Sequence, residues 1–494
     1  MQFWNQIIHT ALLGTDKKQL VPAELGPVLS AIAEEVAPQP ASKEEQFLQI
    51  ASLAFNYRLA GVTVLQKKEF TISTAVVEEK EYCSAAATRV LKDILLEESL
   101  PLLKFWLQAC QYKKRLVTPD LLPVILKTGA AQKALQQVII DCGGKRAEWL
   151  SQFNTDWKFS SGISREELWQ TGTPEQRRVI LQQLRKEDPA MALEWIQQTW
   201  PQEDANTKAD FIKILLISLS ENDITFLERL SNEKSKKVKD EALALLKKIP
   251  TSSIVQQYWN IIKQSLLVKK EKALLGMVNK TVLQVGHPSS IDETIFKTGI
   301  EKLSNNKEFT DEDYIAYQLM QNIPLSFYEA QWQLKPEEII DLFQKNSASK
   351  RFLPALVLSI VHFSDERWAI FFMQYCTTFY TDIIPLLPVK QQEYYSNKFF
   401  TDQPENIIHH ATQREHEWGP ELAASILRHA AKSPYQYNRS FFNQHIHLIP
   451  FAIAAELERF TPTDDGFRVM WSNTSGYILK LLSLKIQTLK AFNE

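Results

Sequence analysis

Glycine is scarce in this chain, with 14 among 494 residues. Folds built on strands consume glycine in their turns. Its scarcity, beside abundant Leu, Ala, Lys, Glu and Gln, predicts an all-α fold. Cysteine is scarcer still. Cys83, Cys110, Cys142 and Cys376 are scattered without a CxxC pair, which excludes zinc-knuckle spacing and a dense disulfide framework. Each reads as a small buried hydrophobe. No apolar run reaches about 18 residues, so no transmembrane helix is expected. Met1-Gln2-Phe3-Trp4-Asn5 lacks the charged start and apolar core of a signal peptide. A cytoplasmic location is the expectation. Neither sign of charge is in excess: the net charge is -2, which implies no polyelectrolyte partner for the chain as a whole.

Catalytic signatures are missing too. There is no G-x-x-x-x-G-K-[ST] and no G-x-S-x-G, and Gly143-Gly144 lacks a dinucleotide-binding context. His409, His410 and His416, with Glu415 and Glu417, come nearest to a metal set. Their spacing is not the HExxH that puts two histidines one helical turn apart beside a glutamate base. They read as polar surface residues. Asp311, Glu312 and Asp313 read as solvated turn charge. The expectation is a protein that is not an enzyme, with no catalytic residues, no cofactor and no metal.

What the chain has is helices, most clearly from Thr171 to Pro250. Thr173 and Gln176 form a capping box with Pro174 at the first helical position. Val179, Ile180 and Leu184 supply an apolar stripe. Asp188-Pro189 must end this helix, because the residue before proline is pushed out of the α region. The same pair can cap and open the next helix, which carries Leu193, Trp195 and Ile196. Further starts are expected at Asn206, at Ser220 with Asp223, and at Ser235. Hairpins with turns this short cannot bury both faces alone, and stacking on neighbours solves that. The expected architecture is a HEAT-like α-solenoid of helical hairpins, with a helical N-terminal region; an irregular helical bundle is the alternative.

A chain of 494 residues exceeds what one core usually supports. Three regions are expected: residues 1–150 as a helical N-terminal region, 151–285 as HEAT-like repeats and 286–494 as C-terminal helical repeats. Residues 25–41, with Pro27, Pro38 and Pro40, read as a linker. Residues 62–81 read as the only stretch with β character, a hairpin or an extended connection.

Two features are candidate contact sites. Between Lys234 and Lys280 eleven lysines meet three acidic residues, a surplus of eight positive charges with no arginine. Lys234, Lys236, Lys237, Lys239, Lys247 and Lys248 would line one edge and meet an acidic partner or phosphates, or form a plain solvated face. The second feature is RAEWLSQFNTDWKF, where Trp149, Asn154 and Trp157 mark an aromatic motif. Packing at a junction is favoured over stacking on a base or peptide. Asp188 and Pro189 complete the motif residues.

WNQIIHTALLGTD, GGKRAEWLSQFNTDW, LWQTGTPEQRRVILQQLRKEDPAMALEWIQQTW and LSENDITFLERLSNEKSKKVKDEALALLKKIP together carry a resemblance. It extends more weakly through DERWAIFFMQY and HEWGPELAASILRHAAK. The chain resembles a bacterial HEAT-like family defined as a domain of unknown function. Members are often encoded beside MoxR-type AAA ATPases, von Willebrand factor A-domain proteins and SWIM zinc-finger proteins. The resemblance therefore implies a scaffold or adaptor that binds a protein partner in an ATP-driven system. A nucleic-acid-binding HEAT-like protein is the alternative; no membrane is expected. The family often has arginine where this chain has Lys17, Lys18 and Lys239, which weakens any role that needs a planar guanidinium there.

Overall fold

The structure is a computed structural model that describes residues 2–36, 41–60, 74–158, 164–273, 278–286 and 291–493. Among the described residues it is all-α apart from one hairpin. The chain divides into two compact units, Met1–Thr74 and Ala75–Glu494.

The first unit holds α1 (Gln2–Leu13), α2 (Pro27–Val36) and α3 (Lys43–Ala60). Their small core is Ile7, Leu25, Leu29, Ala33, Ile50 and Ala54. Helix α2 corrects the expectation of a linker over 25–41. Pro27 sits at its first position, where the missing N–H costs nothing, and Leu29 and Ala33 turn into the core. Ser42 caps α3 as expected, accepting from the Glu45 N–H at 3.2 Å.

The second unit opens with an extended segment and then α4 (Ala85–Leu96), α5 (Leu100–Tyr112), α6 (Leu122–Ala131) and α7 (Gln136–Ser151). Next come α8 (Arg165–Thr171), α9 (Pro174–Glu187), α10 (Pro189–Thr199), α11 (Ala205–Ile214), α12 (Ile224–Arg229), α13 (Lys236–Leu246) and α14 (Ser253–Ser265). Strands β1 (Leu266–Ala273) and β2 (Val278–Val285) pair antiparallel, with Val268 opposite Leu283. The remaining helices are α15 (Asp311–Met320), α16 (Leu325–Trp332), α17 (Pro336–Lys345), α18 (Ser347–Lys350), α19 (Leu353–His362), α20 (Glu366–Tyr375), α21 (Val389–Phe399), α22 (Pro404–Thr412), α23 (Pro420–Lys432), α24 (Arg439–His445) and α25 (Asp465–Asn493).

The hairpin corrects the sequence reading of where strand lies. Most of 62–81 falls outside the described residues, and from residue 74 onward that stretch forms no strand. In 266–285 Leu266 and Leu283 are buried, and Val268 and Val285 pack on the same core. This is a period-2 pattern. The charged run Lys269–Lys272 concealed it, because it breaks the alternation after Val268.

Three cores organise the second unit. One lies among α8–α13, where α9 packs on α8, α10 and α11, and α11 and α12 pack on α13. A second spans α14 to α21, from Tyr258 to Tyr395. The third joins residues 83–147 with 384–492. Helix α25 lies on α4 and α5, Trp106 meets Phe492 edge to face at 5.2 Å, and Lys480 pairs with Glu97. The three expected regions therefore do not match the cores: the first helices of the second unit complete their core with the last helix of the chain.

Candidate interaction face

Helices α11, α12 and α13 place the basic residues. The start of α11 differs from the expectation at Asn206. Asp204 is the cap, accepting from the N–H groups of Asn206 at 2.8 Å and Thr207 at 3.2 Å. A bond from the Thr207 hydroxyl, and then these two, hold its carboxyl below the usual range. The starts at Ser220 and Ser235 hold: the Ser220 N–H donates to Asp223 at 2.9 Å, and Ser235 accepts from the Val238 N–H.

Lys234, Lys236, Lys237 and Lys239 lie in the turn before α13 and in its first turn, all exposed. A helix start carries a partial positive charge, so cations there are unfavourable by a few tenths of a kcal/mol each. Lys237 Nζ donates to Asn206 Oδ1 on α11 at 2.9 Å. An open groove of about 550 Å³ runs between the α11 start and this turn, lined by Lys208, Arg229, Asn232, Glu233 and Lys234 among others. Its wall is built on Trp200. Lys208 lies over the indole ring at 5.0 Å and pairs with Glu233 at 3.0 Å. The indole Nε1–H donates to the same carboxylate at 2.7 Å. Burial opposes ionisation of Glu233, but the bonds from Trp200 and Lys208 outweigh it and hold the carboxyl below its usual range.

The other basic candidates lie elsewhere. Lys247 and Lys248 are half-buried beyond the C-terminal end of α13, and burial pushes both ammonium groups down. Lys248 Nζ donates to the His362 carbonyl at 3.0 Å, and His362 Nε2 lies 2.9 Å from the Lys247 carbonyl. These residues join α13 to α19 and do not belong to the exposed face. Lys269 is on β1; the side chains of Lys270, Lys272 and Lys280 lie outside the described residues. Lys263 is on α14, so the stretch that is continuous in sequence is split among the start of α13, its end, α14 and β1. Conversely, Lys208 and Arg229 were missed. Arg229 falls just before the charged run, at the end of α12; Lys208 reaches Glu233 through the packing of α11 on α13, which no local count of charges detects.

The motif residues make packing and capping contacts. Trp149 meets Phe153 edge to face at 5.0 Å. Asn154 caps a short turn, accepting from the Asp156 N–H at 3.0 Å. Trp157 packs on the core shared with the C-terminal helices. Asp188 accepts from the Met191 N–H at 3.0 Å and Pro189 opens α10. Asp313, read as solvated turn charge, is buried and pairs with Arg351 at 2.7 Å.

The histidines do not converge. His409 is exposed and bonded to Gln413 at 3.0 Å, and Glu417 pairs with Lys485 at 2.6 Å. Among the described residues no group of three or more His, Cys, Asp and Glu side chains is arranged to hold a metal.

A family of unknown function, DUF5691, matches residues 6–492. The chain belongs to that family. No curated protein and no solved structure matches it. Among the described residues no helix is long and apolar enough to cross a membrane.

Proposed function

We propose that this DUF5691 chain is a non-enzymatic scaffold, and that the basic face at the starts of α11 and α13 docks an acidic surface of a protein partner. The observation that carries the reading is the set of exposed lysines, Lys234, Lys236 and Lys239, at the start of α13, the first of which lines an open groove together with Lys208 and Arg229. Cations gathered where the helix dipole disfavours them gain from an anionic partner. The HEAT-like stacking of helical pairs that this proposal includes would supply a surface suited to such docking. The resemblance drawn from the sequence suggests an AAA ATPase or a von Willebrand factor A-domain protein of the same host as that partner, in a cytoplasmic setting.

Binding of the purified chain to such a protein, measured at rising salt, tests the reading. Affinity should fall as ionic strength rises, because exposed charges are screened. Recovery of the chain alone from native cells under gentle, low-salt conditions counts against it.

Nucleic acid is the second reading, favoured by Arg229 in the groove, since a guanidinium suits phosphate. A gel shift at low salt separates the two. Retardation of duplex or single strands at micromolar protein supports nucleic acid; its absence removes that reading.

A further inference from the structure

The scattered cysteines converge. A short extended segment, residues 115–117, brings three of them to one place by backbone hydrogen bonds. The Cys83 N–H donates to the Leu116 carbonyl at 2.8 Å. On the neighbouring side the Arg115 N–H donates to the Cys110 carbonyl at 3.0 Å and the Val117 N–H to the Cys142 carbonyl at 2.8 Å. The three side chains then meet in the core, with Cys110 at the centre. Cys83 Sγ lies 3.5 Å from Cys110 Sγ. The Cys110 thiol also reaches the Arg115 carbonyl at 3.2 Å, and the Cys142 thiol the Leu107 carbonyl at 3.3 Å. Cys110 and Cys142 are fully buried, whereas Cys83 keeps 8% of its surface exposed. Hydrogen bonding with the Cys142 and Cys83 sulfurs, then burial, favours the protonated form of Cys110 and pushes its thiol up.

We infer that Cys83 and Cys110 form a latent dithiol that a small neutral peroxide converts to a disulfide, with Cys83 as the thiol oxidised first. Two sulfurs this close need only small side-chain movement to bond, and Cys83 is the one of the three that solvent touches. In the first step the Cys83 sulfur attacks a peroxide oxygen; hydrogen peroxide is reduced to water and the thiol becomes a sulfenic acid. In the second step the Cys110 sulfur attacks the Cys83 sulfur. The S–S bond forms, the S–O bond breaks, and the Cys110 proton leaves with the hydroxyl as a second water. The product ties the opening segment of the second unit to α5. That segment is otherwise held by polar contacts: Glu78 accepts from the Lys145 and Arg146 N–H groups at 3.2 and 2.7 Å, and Glu81 pairs with Arg115.

The three cysteines fall on separate tryptic peptides, EYCSAAATR, FWLQACQYK and ALQQVIIDCGGK, so the pairing can be read directly. The full chain is treated with hydrogen peroxide, alkylated in denaturant and digested. The expected product is the cross-linked EYCSAAATR–FWLQACQYK pair, with the Cys142 peptide alkylated. Cys110→Ser should lose the cross-link and leave Cys83 as a sulfenic acid that dimedone traps; Cys142→Ala should keep the cross-link. A cross-link to Cys142, or oxidation of Cys376 while Cys83 and Cys110 remain alkylated, overturns the inference. The mapping on the natural chain decides the matter even where a variant fails to fold.

Discussion

Arg185 Nη2 lies 2.5 Å from Asp223 Oδ2, and both side chains are 1% exposed. The guanidinium also donates to the carbonyls of Ile217 at 2.8 Å and Pro189 at 2.7 Å, and at 3.3 Å to those of Leu215 and Ser218. One side chain therefore clamps the end of α9, the start of α10, the turn after α11 and the entry to α12. Removing one partner of a buried pair leaves an uncompensated charge, which costs about 3–5 kcal/mol. Arg185→Met should lower the urea unfolding free energy by that amount. Arg185→Met with Asp223→Leu should recover part of it. A single variant that unfolds like the natural chain would show that the clamp contributes little.

The bend in α7 gives a second prediction. Gly144 has φ +63, and a Cβ there would stand 2.6 to 2.9 Å from the Glu78 carboxylate that caps the following turn. Gly144→Ala should destabilise the chain by about 1–3 kcal/mol, through backbone strain and displacement of Glu78. Thermal melting measures it, and an unchanged midpoint would contradict the strain.

His362 makes the junction of α13 and α19 sensitive to pH. Burial is the main cause pushing its pKa down, from 6.5 to about 4; the nearby Lys248 and Lys247 charges act the same way, against the bond to the Lys247 carbonyl. The folded state thus holds the ring neutral, while the unfolded chain takes a proton below about pH 6.5. Stability from this group is full above pH 6.5. It falls as pH drops towards 4, by an amount on the order of 3 kcal/mol. His362→Gln keeps a side-chain donor and cannot titrate, so its stability should depend less on pH between 6.5 and 4. Equal pH slopes for the two proteins in urea titrations would contradict the assignment.

Local signals reached the punctuation of the helices and not their assembly. The Thr173–Gln176 box is formed, with bonds of 2.9 and 3.3 Å, and α9 ends at Glu187 before Asp188-Pro189. Such signals act within four residues, so one sequence displays them. The pairing of α25 with α4 and α5 spans most of the chain, and no periodicity encodes it. The same limit hid the meeting of Cys83, Cys110 and Cys142, and that of Lys208 with Glu233. Composition misled at the hairpin, where the consecutive charges Lys269–Lys272 interrupt the apolar alternation. At the candidate face, the lysines before and within the first turn of α13 were legible as a charge run. Burial of Lys247 and Lys248 was not, because it depends on α19, more than a hundred residues away.

The scaffold reading rests on the exposed lysines at the start of α13. Changing Lys234, Lys236 and Lys239 together to Gln removes three charges without touching the core. Each exposed pair is worth about 0.2–1 kcal/mol. The triple variant should therefore bind a protein partner roughly tenfold more weakly, with a flatter salt dependence. It should unfold at the same urea concentration as the natural chain or a higher one, because the helix start loses unfavourable cations. The direct measurement is titration calorimetry of both proteins against a purified AAA ATPase or von Willebrand factor A-domain protein of the same host, at low and high salt. Weakened binding by the variant, with a smaller loss of affinity between low and high salt than the natural chain shows, is the predicted result. Equal affinity at both salt concentrations, with a variant that only melts higher, would contradict the account and leave these lysines a solvated face.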